Sequence, residues 1–215
     1  MKQQEGVYKN AIRLTAYLFV VWGFYRLLFI LPEEVEELII KPIIWLLPVA
    51  ILVKSEKLSL SSLGITTKKL FPAIYMSLGL GAIFAFEAVL INFVKYGGFE
   101  FAANIGQKPL VLSLGISFVT AFTEEITFRG YLFNRLWKTI KKEWLANLLS
   151  SFAWALLHIP IVIFVWKLNF AAGAVFVLLT TLFGIGSAFL FARTENIVSS
   201  ILLHVLWSWP IILFR

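Results

Sequence analysis

The sequence predicts an all-α protein, a polytopic transmembrane bundle of about seven spanning helices, and three observations lead to this fold class. Hydrophobic residues make up 60% of the 215 residues and charged residues only 14%, against about 25% charged in an ordinary soluble domain. The apolar residues fall into runs of about 20, the helix length that crosses a ~30 Å hydrocarbon core. Charged or proline-containing segments separate these runs. No soluble domain is visible beside them, so residues 1–215 are interpreted as one integral membrane domain.

The first apolar run follows Lys2, Lys9 and Arg13 and therefore starts like a signal peptide. It is too long for a signal peptide and no small-residue cleavage site follows it, so we expect an uncleaved spanning helix. The second run is the shortest, and Pro42 and Pro48 are expected to bend or break it, which leaves a re-entrant segment open as an alternative to a full crossing. The predicted spans are approximately 11–31, 38–53, 72–94, 109–134, 145–164, 170–192 and 197–213.

The distribution of charge favours a membrane protein over a nucleic-acid-binding one. The net charge is +7, but the basic residues form short clusters between apolar runs and not a continuous stripe. These clusters alternate with weakly charged or acidic loops, as the positive-inside rule expects for seven crossings. We therefore expect a multi-pass protein of the cell membrane with its N-terminus in the cytoplasm. The absence of cysteine excludes disulfides, thiolate metal sites and thiol nucleophiles.

Two adjacent glutamates and an arginine interrupt the fourth apolar run. A carboxylate in hydrocarbon costs about 2.5–3.5 kcal/mol on insertion scales, so such a group usually persists only when it is paired, hydrated or functional. Glu125 and Arg129 are four residues apart, which places them on one helix face where they can pair. Glu124 lies about 100° further round the helix. It is therefore expected to be free to face a different group.

The chain has only two histidines, His158 and His204, and both lie inside apolar runs. A membrane histidine can be a packing residue that hydrogen-bonds a neighbouring helix, but two histidines together with the acidic pair favour a reaction centre. Hydrolysis of an amide needs an activated water, a donor for the tetrahedral oxygen and a proton for the leaving amine. A glutamate can supply the first and the last. We expect a water-filled cavity at this site that opens toward the cytoplasmic face.

Three segments between residues 120 and 208 resemble, in order, the motifs of the CPBP family. This family groups the CAAX prenyl endopeptidases with bacterial bacteriocin-processing and immunity membrane proteins. The segment from Glu124 to Leu132 resembles the first motif, Glu-Glu-x-x-x-Arg-Gly-Tyr-Leu. The segment from Ser150 to Pro160 resembles the second, an aromatic residue four positions before a histidine, and the segment from Gly184 to Ser208 resembles the third. The family-like catalytic core is thus expected at about 109–213.

The resemblance implies a glutamate-type intramembrane endopeptidase that acts on a peptide or a prenylated protein C-terminus in the lipid bilayer. It implies that Glu124 and His158 activate a water and that Glu125 and Arg129 help to hold the site. The third-motif histidine, His204, would stabilise the oxyanion.

Two positions depart from the family pattern. The family has an asparagine or aspartate four residues after the third-motif histidine, where this chain has Ser208. A serine hydroxyl can donate to an oxyanion but is shorter than an amide. The aromatic residue of the second motif, commonly phenylalanine, is Trp154 here.

Three other functions are compatible with the same residues. Two glutamates and two histidines also suit a zinc ion, although the ligands would have to converge from three helices, and we expect no cofactor. The main alternative is a catalytically silent membrane scaffold or a bacteriocin immunity protein, which the serine at position 208 would permit. A proton-coupled transporter could use Glu87, Glu124 and Glu125 as a relay, but no inverted repeat is visible.

Overall fold

The computed structural model describes residues 2–101 and 109–214, without the side chains of residues 2–5, 211, 213 and 214. Across these residues the chain forms helices and no strands. A short 3₁₀ helix, Leu60–Leu63, lies between the second and third long helices. The long helices are α1 (Lys2–Leu28), α2 (Glu33–Ser55), α3 (Leu70–Tyr96), α4 (Leu110–Ile140), α5 (Glu143–Val165), α6 (Phe170–Thr194) and α7 (Ile197–Phe214).

The length and composition of these helices are those of membrane spans. Six of them, α1 to α6, are long and apolar enough to cross a bilayer, and α7 contains a shorter apolar stretch, Ile197–Pro210. Large apolar side chains cover the outside of the bundle; Val94 is 81% exposed, Val111 84% and Phe170 93%. Such a surface is stable against lipid and not against water. The prediction of an all-α, multi-pass membrane protein with about seven helices is confirmed.

Two prolines do not break α2, which continues from Glu33 to Ser55. Its turn Glu36–Ile40 is a π-helix that ends just before Pro42. A proline lacks the N–H that a regular helix needs and its ring clashes with the carbonyl four residues earlier, and the wider π turn relieves this conflict. Helix α5 also contains a π turn next to a proline, but there the turn, Ile161–Val165, follows Pro160 directly. The second segment therefore has the length of a full crossing.

Helix α7 lies inside the bundle and packs against α3, α4 and α6. Helix α5 packs against α6, while α1 packs against α2 and against the last turns of α4. The two helices that carry the candidate glutamates and His204 are therefore in direct contact. This arrangement brings sequence-distant polar residues of α4, α5 and α7 toward one another.

A buried polar cluster fixes the end of α4 at the end of the bundle that carries the basic loops, residues 54–69 and 135–142; this end is called the basic end. The carboxylate of Glu56 accepts hydrogen bonds from the Tyr131 hydroxyl at 2.6 Å and from Arg135 Nε at 2.9 Å. The Arg135 guanidinium also donates to the Ser62 carbonyl at 3.0 Å. Because Arg135 is only 1% exposed, this part of α4 is inside the protein, and the helix continues six residues beyond the predicted end at residue 134.

Candidate active site

Glu125 is completely buried and connects three helices. Its Oε1 accepts a hydrogen bond from Arg129 NH1 at 3.1 Å, as the four-residue spacing predicts, and lies 2.8 Å from His204 Nδ1 of α7. Its Oε2 accepts from the Ser187 hydroxyl of α6 at 2.7 Å. These partners compensate the negative charge of the buried Glu125 carboxylate. Glu125 therefore orients His204 and Arg129 and is not itself among the residues that line the cavity described below.

Arg129 lies in the π-helical segment Ile126–Phe133 and is 1% exposed. Its guanidinium packs 4.5 Å from the ring centre of Trp154. A Cβ atom added at Gly184 would lie 2.9 Å from Arg129 NH2 and 2.9 Å from Ser151 Cβ. The missing side chain at Gly184 thus leaves the room that the guanidinium occupies.

Glu124, on the neighbouring face of α4, has a separate set of partners. It is 2% exposed, and its Oε2 accepts a hydrogen bond from Trp154 Nε1 at 2.8 Å. Its Oε1 forms a short ion pair with Nζ of Lys41, which belongs to α2. Glu124 thus faces groups other than Arg129, as expected, and one of them is a lysine from a helix without a recognised motif.

The two histidines each present one ring nitrogen away from the protein framework. His158 Nδ1 lies 2.9 Å from the carbonyl oxygen of Trp154, and because a carbonyl can only accept, this nitrogen carries the proton. In the neutral ring Nε2 is then an acceptor. His204 Nδ1 is likewise engaged by Glu125, which leaves its Nε2 for a ligand. Both rings pack edge-on against Trp154, with centroids 5.0 and 5.7 Å away.

A cavity of about 870 Å³ brings most of the predicted site residues together. Glu124, His158, His204 and Ser208 all line it, as does Trp154. The predicted residues Glu125 and Arg129 lie behind this wall and contact the lining from the protein side. The cavity is large enough for a short peptide segment together with water.

The Ser208 hydroxyl is already engaged in hydrogen bonds. It donates to the carbonyl oxygen of His204 at 2.9 Å, and its oxygen lies 2.6 Å from the Ser117 hydroxyl of α4. A hydroxyl has a single proton to donate. Ser208 in this arrangement joins α7 to α4 and has no donor directed at a substrate oxygen.

A chain of charges that the sequence analysis missed runs along one side of the cavity. Lys41 also pairs with Glu37 Oε2 at 2.7 Å, and Glu37 Oε1 pairs with Arg26 NH2 at 3.0 Å. The Thr120 hydroxyl of α4 donates to Glu37 Oε2 at 2.7 Å. The signal was the four-residue spacing of Glu37 and Lys41, the same spacing as in the Glu125–Arg129 pair. Because the second span was predicted to begin at residue 38, these residues were assigned to a loop charge cluster and not to a helix.

The cavity extends toward the end of the bundle that is opposite to the basic loops. Its lining includes Ile30 and Leu31 after α1, Ser113 at the start of α4 and Trp166 after α5. This is the end that the positive-inside rule predicts to face outside, so an opening toward the cytoplasmic face, as expected, would need the reverse orientation of the bundle. That expectation placed Glu124 near the end of a helix that stops at residue 134, whereas α4 runs from Leu110 to Ile140 and Glu124 lies near its middle.

The donor atoms do not form a metal site in the part of the chain that the structure describes. Within residues 2–101 and 109–214, no group of three or more histidine, aspartate or glutamate side chains is arranged to hold a metal ion. The oxygens of Glu124 face a lysine ammonium and an indole N–H instead. The predicted zinc alternative thus has no ligand set in these residues.

Comparison with known proteins identifies the family. Residues 106–210, about half of the chain, match a family model described as Rce1-like, Type II CAAX prenyl endopeptidase Rce1-like. No curated protein and no solved structure matches the chain. The matched range contains Glu124, His158 and His204 but begins after α3, so Lys41 of α2 lies outside it. At the family level the protein is a CAAX-protease-like intramembrane peptidase, for which a peptide is the substrate. Through this Rce1-like region the chain belongs to the CPBP family.

Proposed function

We propose that the protein is a glutamate-type intramembrane endopeptidase in which Glu124 activates the water that cleaves a peptide bond. The observation that carries this proposal is that Glu124, His158 and His204, from three different helices, line the same cavity. Each of these side chains is held by a partner on its far side, Trp154 for the first two and Glu125 for the third. Such fixed donors and acceptors around a small wet volume are what hydrolysis requires.

The reaction follows from the atoms that face the cavity. A water held between Glu124 and the His158 Nε2 acceptor gives a proton to the carboxylate, and the hydroxide adds to the scissile carbonyl carbon. His204 takes part with a proton on each ring nitrogen: Nδ1–H donates to the Glu125 carboxylate, and Nε2–H donates to the oxygen of the tetrahedral intermediate. When the C–N bond breaks, the protonated Glu124 returns the proton to the leaving amine. The products are a free amine and a carboxylic acid, which then releases its proton to water and becomes a carboxylate.

The substrate proposed first is a prenylated protein C-terminus, because the matched family is described as a CAAX prenyl endopeptidase. The cavity suits an amphiphilic chain, since apolar residues such as Ile116, Val165 and Phe176 line it beside the charged ones. In an organism without protein prenylation, the corresponding substrate is a membrane-bound peptide such as a bacteriocin leader.

A catalytically silent scaffold or immunity protein is the second candidate function, and two contacts favour it. Both oxygens of Glu124 already accept from donors, Lys41 and Trp154, and Ser208 donates to a backbone carbonyl instead of the cavity. If this function is correct, Glu124→Ala will retain the biological effect of the protein in cells. Loss of that effect together with loss of cleavage supports the peptidase.

Removal of divalent metal ions tests the zinc alternative. Because the proposed reaction uses only protein side chains and water, we expect the cleavage rate to be unchanged by a strong chelator. A rate that falls with chelator and returns when zinc is added would contradict the glutamate mechanism.

A cleavage assay in liposomes tests the proposed function. One farnesylated peptide and several unprenylated membrane peptides are incubated with wild type and with Glu124→Gln, and the products are identified by mass spectrometry. We expect wild type to cleave at least one peptide and to place one ¹⁸O atom in the new carboxylate when the reaction runs in H₂¹⁸O. If the folded wild-type protein cleaves none of the peptides, the peptidase function is contradicted and the silent scaffold is favoured.

A further inference from the structure

Lys41 is a buried cation in direct contact with the proposed water-activating group. It is 5% exposed and lies on α2, outside the residues that match the family. Its Nζ pairs with Glu124 and with Glu37 and lies 5.7 and 5.4 Å from the ring centres of Trp22 and Trp45. A lysine ammonium in a largely apolar bundle is costly unless it is compensated or functional. Lys41 also lines the same cavity as Glu124.

The number of donors on Lys41 exceeds the number of its protein acceptors. A lysine ammonium has three N–H donors. Within residues 2–101 and 109–214, the two carboxylates of Glu124 and Glu37 accept from two of them. Among these residues one donor therefore remains for a group inside the cavity that Lys41 lines. An oxygen atom of a bound substrate next to Glu124 is such a group.

In the proposed reaction a negative charge moves from Glu124 to an oxygen of the substrate, and Lys41 lies next to Glu124. Before attack the charge is on the Glu124 carboxylate, which is paired with Lys41. When Glu124 takes the proton from water it becomes neutral, and the negative charge appears on the carbonyl oxygen of the substrate. Nucleophile and carbonyl are then bonded, so this oxygen lies within a few bond lengths of Glu124. A fixed cation beside both positions stabilises the charge before and after the transfer.

We propose that Lys41 is a catalytic residue that stabilises the tetrahedral oxyanion together with His204. This inference rests on the proposed function. It assigns to a lysine of α2 the role that the family pattern gives to an asparagine or aspartate four residues after the third-motif histidine, where this chain has Ser208. Ser208 cannot fill that role as it stands, because its proton is donated to the carbonyl of His204. The reaction centre is then completed by a helix outside the family match.

Other residues hold Lys41 in place while Glu124 is neutral. Glu37 remains an anionic partner throughout, and it is itself held by Arg26 at 3.0 Å and by the Thr120 hydroxyl at 2.7 Å. Since Thr120 lies one helical turn before Glu124 on α4, Glu37 ties α2 to the helix that carries the reacting group. These side chains act through Lys41 and are positioning residues.

The test compares Lys41→Met and Lys41→Arg with Lys54→Met, a matched control that removes an exposed lysine from the same helix. The substrate is the peptide that wild type cleaves in the liposome assay. The second probe is its phosphonate isostere, in which a tetrahedral anionic phosphonate replaces the scissile amide. We expect Lys41→Met to lower kcat by about 100-fold or more and to weaken phosphonate binding by a similar factor. The KM for the peptide should change little, Lys41→Arg should recover part of kcat, and Lys54→Met should behave as wild type.

Two results would overturn the inference. The first is an unchanged kcat in Lys41→Met; the second is a lower kcat with unchanged phosphonate affinity, which would make Lys41 a structural partner of Glu124 only. If Lys41→Met does not fold, the double variant Lys41→Met/Glu37→Gln keeps the net charge of the cluster and is measured in the same way. The proposed function fails separately, when Glu124→Gln still cleaves the peptide.

Discussion

Trp154 is the side chain that joins the reacting groups to one another. Its indole N–H donates to Glu124 at 2.8 Å, its carbonyl oxygen lies 2.9 Å from His158 Nδ1, and its ring contacts both histidines and Arg129. A phenylalanine, the common residue at this position in the motif, would keep the ring contacts and lose the N–H. The orientation of Glu124 in this protein thus depends on a donor that a phenylalanine would lack.

We expect Trp154→Phe to lower kcat about tenfold and to cost about 1–3 kcal/mol of stability, because one oxygen of the buried Glu124 carboxylate loses its donor. Steady-state kinetics and thermal unfolding in detergent measure both effects. Trp144→Phe is the control, since Trp144 lies at the start of the same helix and is 56% exposed. A kcat that Trp154→Phe leaves unchanged would show that the indole N–H does not orient the base.

At the scale of single residues, the sequence analysis identified those site residues that stand out from their neighbours in the sequence. Glu124, Glu125 and Arg129 are recognisable because three charges occur together in an apolar run. His158 and His204 are recognisable because the chain has no other histidine. Lys41 was missed because its partner Glu124 is 83 residues away in the sequence, and no spacing rule connects two different helices.

Among the structural elements, the loop after α2 is fixed to α4 by a buried ion pair. The side chains of Glu56 and Arg135 are 3% and 2% exposed, and Ser62 in the short 3₁₀ helix accepts from the same guanidinium. Loss of one partner from such a pair leaves an uncompensated charge inside the protein. This contact holds the basic ends of α2 and α4 together, far from the cavity lining.

We predict that Glu56→Ala destabilises the protein by about 3–5 kcal/mol, because Arg135 is left buried without its anion. Thermal unfolding of the purified protein in one detergent is the measurement. The control is Glu195→Gln, which removes an exposed pair with Lys69 at 3.5 Å and should cost about 0.2–1 kcal/mol. Equal stability of the two variants would contradict the structural role of the Glu56–Arg135 pair.

The number and order of the helices were predictable because each span must be about 20 apolar residues long. The ends of the helices were less predictable. Helix α4 continues to Ile140 because Arg135 pairs with Glu56 inside the protein. Helix α2 begins at Glu33 because Glu36 and Glu37, near its start, pair with Arg26 of α1. A charge normally indicates the end of a span, but a charge that is paired inside the protein does not.

On the scale of the whole molecule, the orientation in the membrane determines which compartment reaches the cavity. The cavity extends toward the end of the bundle opposite to the basic loops. With the N-terminus in the cytoplasm, as the positive-inside rule predicts, this end faces outside. A prenylated C-terminus of a cytoplasmic protein would require the reverse orientation, so topology also discriminates between the proposed substrate classes.

The chain has no cysteine, so single cysteines report orientation without background. Lys142→Cys lies between α4 and α5 at the basic end, and Glu100→Cys lies after α3 at the opposite end; both positions are exposed. We expect a membrane-impermeant maleimide to label Glu100→Cys in intact cells and Lys142→Cys only after permeabilisation. The reverse labelling pattern would overturn the predicted orientation and favour a cytoplasmic substrate.

The central claim is that Glu124 activates the water in the cavity where α4, α5 and α7 meet. The most direct measurement is the turnover of Glu124→Gln in liposomes beside Glu87→Gln, which makes the same change in α3 away from the cavity lining. We predict that Glu124→Gln lowers kcat by about 10³-fold or more while peptide binding stays close to wild type and the protein still folds, because Lys41 keeps Glu37 as an anionic partner. Glu87→Gln should keep wild-type turnover. Cleavage by folded Glu124→Gln at the wild-type rate would contradict the mechanism.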